Sequence, residues 1–180
     1  MKLLIASDLH GDVSAARALL RQLDAEGAEK LILLGDYLYH GPRNGLPGAY
    51  DPKGVAELLN ACADRLFCVR GNCDSEVDQM MLSFPMMAEY ALFHADGHGL
   101  FCTHGHRIGP SAPPPMGCGD VLLCGHTHLF AMEQIGDMVY LNPGSPSFPK
   151  GGNPPTYLLW DGGLVTLKTL SGEQLRQMQL

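Results

Sequence analysis

A chain of 180 residues is long enough to bury a hydrophobic core as a single domain, 1–180, without disulfide or metal staples. With 46% hydrophobic and 17% charged residues, it is not a disordered chain. Its net charge of −7 excludes a general electrostatic grip on long nucleic acid or on an acidic membrane surface, but leaves room for a small local anion site.

The first apolar run, "KLLIAS", predicts a buried strand that ends at Asp8. It stops too soon at an acid to be a cleavable leader, and no run in the chain reaches the ~18 residues of a membrane span. A cytoplasmic protein is therefore expected. After "HGD", Asp12 or Ser14 is placed to cap a helix whose Val13, Ala16, Leu19, Leu20 and Leu23 recur at helical spacing and which Gly27 stops. Next, "EKLILLGD" reads as a second buried strand ending in Asp36. The Gly- and Pro-rich residues 40–52, "HGPRNGLPGAYDP", predict a long surface loop, a kind of segment that often carries function in compact domains.

A helix around "KGVAELLNACAD" then leads to a third strand in "RLFCVRGNCD". This β-α-β-α-β order predicts a parallel sheet with right-handed crossovers. After about residue 84 the character changes to short strand-like segments with turn signals between them: "EYALFHA", "GLFCTHG", "DVLLCGHTH", "MEQIGDMVYLNPGS", "TYLLWDGG" and "LVTLKTL". A two-sheet sandwich with helices outside is the expected architecture. Six cysteines show no CxxC spacing, and Cys68, Cys102 and Cys124 lie inside apolar runs, which reads as core thiols in a reducing compartment.

Each predicted strand ends in residues able to bind metal: Asp8 and His10, Asp36, Asn72, His104, and His126 with His128. If the last strand runs on, alternation gives His126 and His128 one face; taken alone, such a pair is more often two surface residues at a strand end. Ligands of open α/β sheets sit outside the carboxyl ends of the strands, so these tips are expected to converge. Carboxylate, amide and imidazole donors without thiolate suit manganese, iron or zinc rather than a structural cysteine-zinc site. Seven donors exceed what one catalytic ion with an open position needs, and two ions sharing a carboxylate fit the count. Gly11, Gly35, Gly71, Gly105 and Gly125 each adjoin a candidate ligand, where a missing side chain allows a sharp turn or leaves room.

The series "DLH", "GDYLYHG", "GNCD", "THGH" and "GHTH", in that order, resembles the signature of the calcineurin-like metallophosphoesterases. Within that family, "HGPRNGLP", "VRGNCDSEVDQM" and "NPGSPSFPKGGNP" resemble the small bacterial phosphodiesterases of the YfcE type. The resemblance implies a four-layer αββα sandwich of two mixed sheets flanked by helices. It implies one ion on Asp8, His10 and His128, a second on Asn72, His104 and His126, and Asp36 between them. Manganese is the favoured metal, with zinc, iron or magnesium as alternatives. A deprotonated water between the ions would then attack a small or nucleotide-like phosphodiester.

One position departs from the wider family: the third motif carries Cys73 where histidine is usual. A thiol with an ordinary pKa of ~8.5 is a weaker donor than imidazolium, so Cys73 as a general acid favours substrates with good leaving groups. Asp74 is placed either to orient a partner or to cap the helix after it. His106, His40 and Arg43 are candidate substrate-binding residues, Arg being the natural clamp for phosphate oxygens, and each is equally well a solvated side chain. Leu46 and Tyr50 are candidates for a pocket wall or a contact between copies of the chain, and Asn142 for shaping a turn near the site. A binding-only scaffold on the same fold, or a phosphatase or nuclease of the same family, is the alternative. A complete ligand set argues for an enzyme.

Overall fold

The computed structural model describes residues 1–180. Strands β1 (Lys2–Ala6), β2 (Lys30–Leu33) and β3 (Leu66–Cys68) lie parallel and adjacent, and helices α1 (Val13–Ala25) and α2 (Pro52–Asn60) make the crossovers between them. Asp12 caps α1 by accepting the N–H groups of Ser14 and Ala15 at 2.9 and 3.0 Å, and Asp51 caps α2 through the N–H of Gly54. A short α3 (Glu76–Met81) opens with a capping box between Ser75 and Asp78.

Three antiparallel strands, β9 (Thr156–Asp161), β10 (Leu164–Thr169) and β11 (Gln174–Gln179), extend the first sheet from β1, giving the order β11-β10-β9-β1-β2-β3. The second sheet contains β4 (Tyr90–Ala95), β5 (His98–Thr103), β6 (Val121–Leu123), β7 (Phe130–Ile135) and β8 (Met138–Pro143) in the order β4-β5-β6-β8-β7. Here β5, β6 and β8 run parallel and the two edges antiparallel, so both sheets are mixed. The polar "QLRQMQ" edge strand β11 carries too few apolar residues to register as a strand in the sequence; its ladder with β10 fixes it.

Strand β1 is buried on both faces, which is why "LLIA" lacks polar alternation. Leu4 and Ala6 face α1 and α2 with Leu19, Leu23, Val55 and Leu59, while Leu3, Ile5 and the neighbouring Trp160 of β9 face Leu100, Val121 and Leu141 of the second sheet. The expected sandwich of two mixed sheets with outer helices is present, and its helical cover is one-sided. On the outer face of the second sheet, Leu122, Cys124, Met138 and Tyr140 are covered by Met116 and neighbouring strand residues, with no helix. The segment that crosses from β5 to β6 contains "GPSAPPPMG", in which prolines and glycines preclude a helix. No helix is long and apolar enough to cross a membrane.

Candidate metal centre

The loops that follow β1, β2 and β3 in one sheet and β5 and β6 in the other meet at one edge of the sandwich. Asp8, His10, Asp36, His126 and His128 all adopt positive φ, between 48° and 66°; Asp96 is the one other non-glycine residue to do so. Such strained backbone persists only where surroundings enforce it, and it gathers at functional sites. It also corrects one expectation. His126 and His128 do not share a face by strand alternation, because β6 ends at Leu123 and both sit in a tight left-handed turn; His104 and His106 likewise lie beyond the end of β5.

Hydrogen bonds between loops enforce this geometry. The N–H groups of Asp8, His10 and Gly11 donate to the carbonyls of Gly35, Asp36 and Tyr37 at 2.9–3.0 Å, zipping the loop after β1 to the loop after β2. Asp74 is nearly fully buried and accepts the N–H groups of Asp36, Tyr37 and Gly71 at 2.8, 2.9 and 2.6 Å. It therefore orients its neighbours; Ser75, not Asp74, caps α3. From the second sheet, the His126 N–H reaches Asp8 Oδ2 at 2.9 Å, and Asn142 braces that turn by donating to the Gly125 carbonyl at 2.8 Å. Two glycines are sterically required: a Cβ on Gly71 would stand 2.0 Å from Asp36 Oδ1, and one on Gly125 would stand 1.9 Å from Ser7 Oγ.

Three imidazoles are fixed in one tautomer. Nδ1 of His10, His104 and His128 donates to the carbonyls of Tyr39, Leu34 and Phe148 at 2.8, 2.7 and 2.8 Å, so each neutral ring turns an Nε2 lone pair inward. Around Asp8 Oδ1 these Nε2 atoms lie at 3.6 Å (His10), 4.0 Å (His104) and 3.2 Å (His128). Asp36 Oδ2 stands 3.6 Å from His10 Nε2 and 3.5 Å from His104 Nε2, and Asn72 Oδ1 lies 3.0 Å from the same His104 nitrogen. His10 Nε2 and His128 Nε2 face each other at 3.2 Å, and Asp8 Oδ1 is buried without a hydrogen bond. Lone pairs packed this closely call for cations, so the residues present fit divalent metal. Three sets bring their donor atoms together: Asp8, His10 and His128; Asp8, Asp36 and His104; and His10, Asp36 and Cys73.

Without metal, protons take over that role. Burial alone would lower the His104 pKa, but Asp36 and Asp8 outweigh it and raise it to about 9. His10 is raised in the same way, burial being outweighed by Asp8. Burial would raise Asp8 and Asp36, but the facing imidazoles, His10 and His128 at Asp8 and His104 at Asp36, hold both below the usual carboxylate range. Burial first, then the Asp36 charge, push the Cys73 thiol well up, so it stays protonated. His126 and His106 are lowered, by burial and then by the His104 charge.

A cavity of about 570 Å³ opens above this floor. His10, Asp36, Asn72, Cys73, His126 and His128 line it together with Arg43. His40 and His106 do not: the His40 ring packs edge-on against Tyr50 at 5.4 Å, and His106 stands behind His104 and His126 with ring centroids 5.4 and 6.2 Å away. Tyr39, Asn44, Thr127 and Lys150 line the wall and were not singled out in the sequence. Lys150 follows "NPGSPSFP", and its N–H bonds the His128 carbonyl at 3.1 Å, a contact that sequence distance conceals.

Residues 1–162 match the model of the calcineurin-like phosphoesterase superfamily domain. The chain belongs to that superfamily. It is 47% identical over 175 residues to phosphodiesterase YfcE of Escherichia coli K12, covering 97% of this chain and 95% of the relative. A solved structure of YfcE, described as a phosphoesterase from E. coli, superposes with a TM-score of 0.96 at 46% identity over 99% of this chain and 98% of that one. Vacuolar protein sorting 29 of Cryptosporidium parvum shares the fold at a TM-score of 0.66 and 18% identity, over 99% and 98% of the two chains.

Proposed function

We propose that the protein hydrolyses a small or nucleotide-like phosphodiester with the aid of two divalent cations, manganese being favoured. The observation that carries this reading is the convergence of imidazole lone pairs on Asp8 Oδ1 and Asp36 Oδ2 at the floor of a cavity large enough for a small ester. Kinship with a phosphodiesterase gives it a reaction class. Asp8, His10 and His128 would hold one cation, Asn72, His104 and His126 the other, with Asp36 shared. When bound, such ions acidify a water and offset the negative charge that develops on the phosphoryl oxygens.

The chain's own residues do the rest. Carbonyls hold the imidazoles in the ligating tautomer, Arg43 has a guanidinium at the cavity wall within reach of a substrate phosphate, and the Cys73 thiol lines the same wall beside Asp36. The six free cysteines agree with a reducing, cytoplasmic setting, and the net charge of −7 with a small substrate and not long nucleic acid. The test is hydrolysis of bis(p-nitrophenyl) phosphate beside p-nitrophenyl phosphate, on metal-stripped protein titrated with manganese, magnesium and zinc. Diester turnover that needs manganese and disappears in both Asp36→Asn and His126→Ala is expected. Tight metal binding with no cleavage of either ester would favour a binding-only protein.

A thiol donates more weakly than the imidazolium it stands in for, so Cys73 would limit the reaction to esters with good leaving groups. Cys73→His should raise turnover of an alkyl diester by more than that of the nitrophenyl diester. An equal effect on both would remove Cys73 from the leaving-group step.

A further inference from the structure

The cavity wall carries more positive charge than cleavage of a simple diester needs. Of nineteen acids in the chain, Asp36 alone lines the cavity, while Arg43 and Lys150 line it from two different segments. Elsewhere five of the twelve Lys and Arg residues are ion-paired: Arg65 with Asp24, Arg70 and Arg107 with Glu89, Lys2 with Asp161, and Lys168 with Glu26. Neither Arg43 nor Lys150 makes a side-chain ion pair or hydrogen bond within the protein, although the backbone near each is fixed. Lys150 is tied to the His128 carbonyl, and Asn44 Nδ2 closes the turn around Arg43 on the His40 carbonyl at 2.8 Å. An acidic protein thus keeps its acids off this wall and leaves two cations there free.

Charge decides what these cations can hold. Two divalent ions over Asp8 and Asp36 already leave the floor positive enough for the single negative charge of a phosphodiester. Arg43 and Lys150 add two positive charges without a counterpart. A second phosphate group carries a charge of about −1.5 to −2 at neutral pH and supplies that counterpart. A volume of about 570 Å³ also exceeds the need of a bare dialkyl phosphate and lies within the usual range for organic ligands.

From these observations we infer that the substrate is a phosphodiester bearing a second phosphate, and that Arg43 and Lys150 bind this second group. The inference rests on the phosphodiesterase reading and narrows its substrate class.

The p-nitrophenyl ester of thymidine 5′-phosphate can be compared with two esters that share its leaving group. One carries an added 3′-phosphate, and the other has its second phosphate in a pyrophosphate link, where it carries a single negative charge; its products are followed by chromatography so that a cut at the P–O–P bond is also seen. On the manganese-loaded protein, at least one of them should show a kcat/KM about tenfold or more above the plain ester, as expected of charge-assisted contacts. That ratio should fall to within about threefold of unity in Arg43→Gln and in Lys150→Gln, both exposed positions where folding is not at risk. Calorimetry gives a readout independent of turnover: thymidine 3′,5′-bisphosphate and thymidine 5′-diphosphate are compared with thymidine 5′-phosphate, and the same preference should weaken in the same variants. Equal kcat/KM for all three esters, or a preference that survives both substitutions, overturns the inference and leaves the phosphodiesterase reading standing. Failure of the unaltered protein to cleave any of the three overturns the phosphodiesterase reading itself.

Discussion

Five of the candidate ligands hold a left-handed backbone, a conformation that costs a non-glycine residue on the order of 1 kcal/mol or more. The neighbouring glycines make this tolerable by letting the loops approach closely. Gly125 illustrates it: a methyl group there would collide with Ser7 Oγ at 1.9 Å, at the end of a strand that cannot retreat. Gly125→Ala should therefore destabilise the protein by about 1–3 kcal/mol and also weaken metal binding, because the displaced turn carries His126 and His128. Gly48, with open space around its Cβ position and no positive φ, is the control; Gly48→Ala should stay within about 0.5 kcal/mol. Urea denaturation of both variants, with manganese titrations, separates a local clash from a general intolerance of side chains.

Among the elements, the link between the loops after β2 and β3 is the Asp74 carboxylate. Its three N–H partners include Asp36 itself, so it fixes the backbone of that candidate ligand from outside the cavity lining. In Asp74→Asn one oxygen becomes an NH₂ that faces a backbone donor. We expect a loss of about 2 kcal/mol in stability from the broken bonds. We also expect weaker manganese affinity, which Asp74→Glu does not recover because its longer stem misplaces the oxygens. An unchanged affinity in Asp74→Asn would reduce the residue to a fold stabiliser. Much of this was legible in sequence: apolar runs that stop at Asp8, Asp36 and Asn72 marked the strand tips, and motif order marked the family. What stayed hidden depends on long-range contact. Asp74 read equally well as a helix cap, Lys150 gave no local signal, and His40 sits in the right loop but turns its ring to Tyr50. How the outer face of the second sheet is covered was also hidden: Met116, from the proline-rich β5–β6 crossover, packs there.

For the molecule as a whole, the centre is a seam. Asp8, Asp36 and Asn72 come from the first sheet and His104, His126 and His128 from the second, so whatever balances their charges also joins the two sheets. In metal-free protein that role falls to protons, and the sign of the pH dependence follows. His104, raised to about 9, and His10, also raised, bind protons more tightly folded than unfolded. Their contribution is fully present below the ordinary imidazole value of 6.5 and is lost as pH rises toward 9, an effect on the order of 3 kcal/mol for His104. Asp8 and Asp36, held low, contribute above the ordinary carboxylate value of 3.8 and lose that contribution on acidification. Asp74, raised to about 6 by burial and then by the Asp36 charge, loses its contribution between about pH 4 and 6, so metal-free protein should be most stable near pH 4 and weaken toward pH 9. Bound cations need the same imidazoles deprotonated, so loading with manganese should abolish the alkaline decline and release protons. Manganese at 100 times its dissociation constant adds about 2.7 kcal/mol per site, which raises Tm by about 5–10 °C in a chain of this size. Thermal denaturation of stripped and loaded protein from pH 5 to 9 reads both effects. Parallel curves for the two forms would mean that protons and metal do not compete for these imidazoles, and the ligand assignment would fall with them.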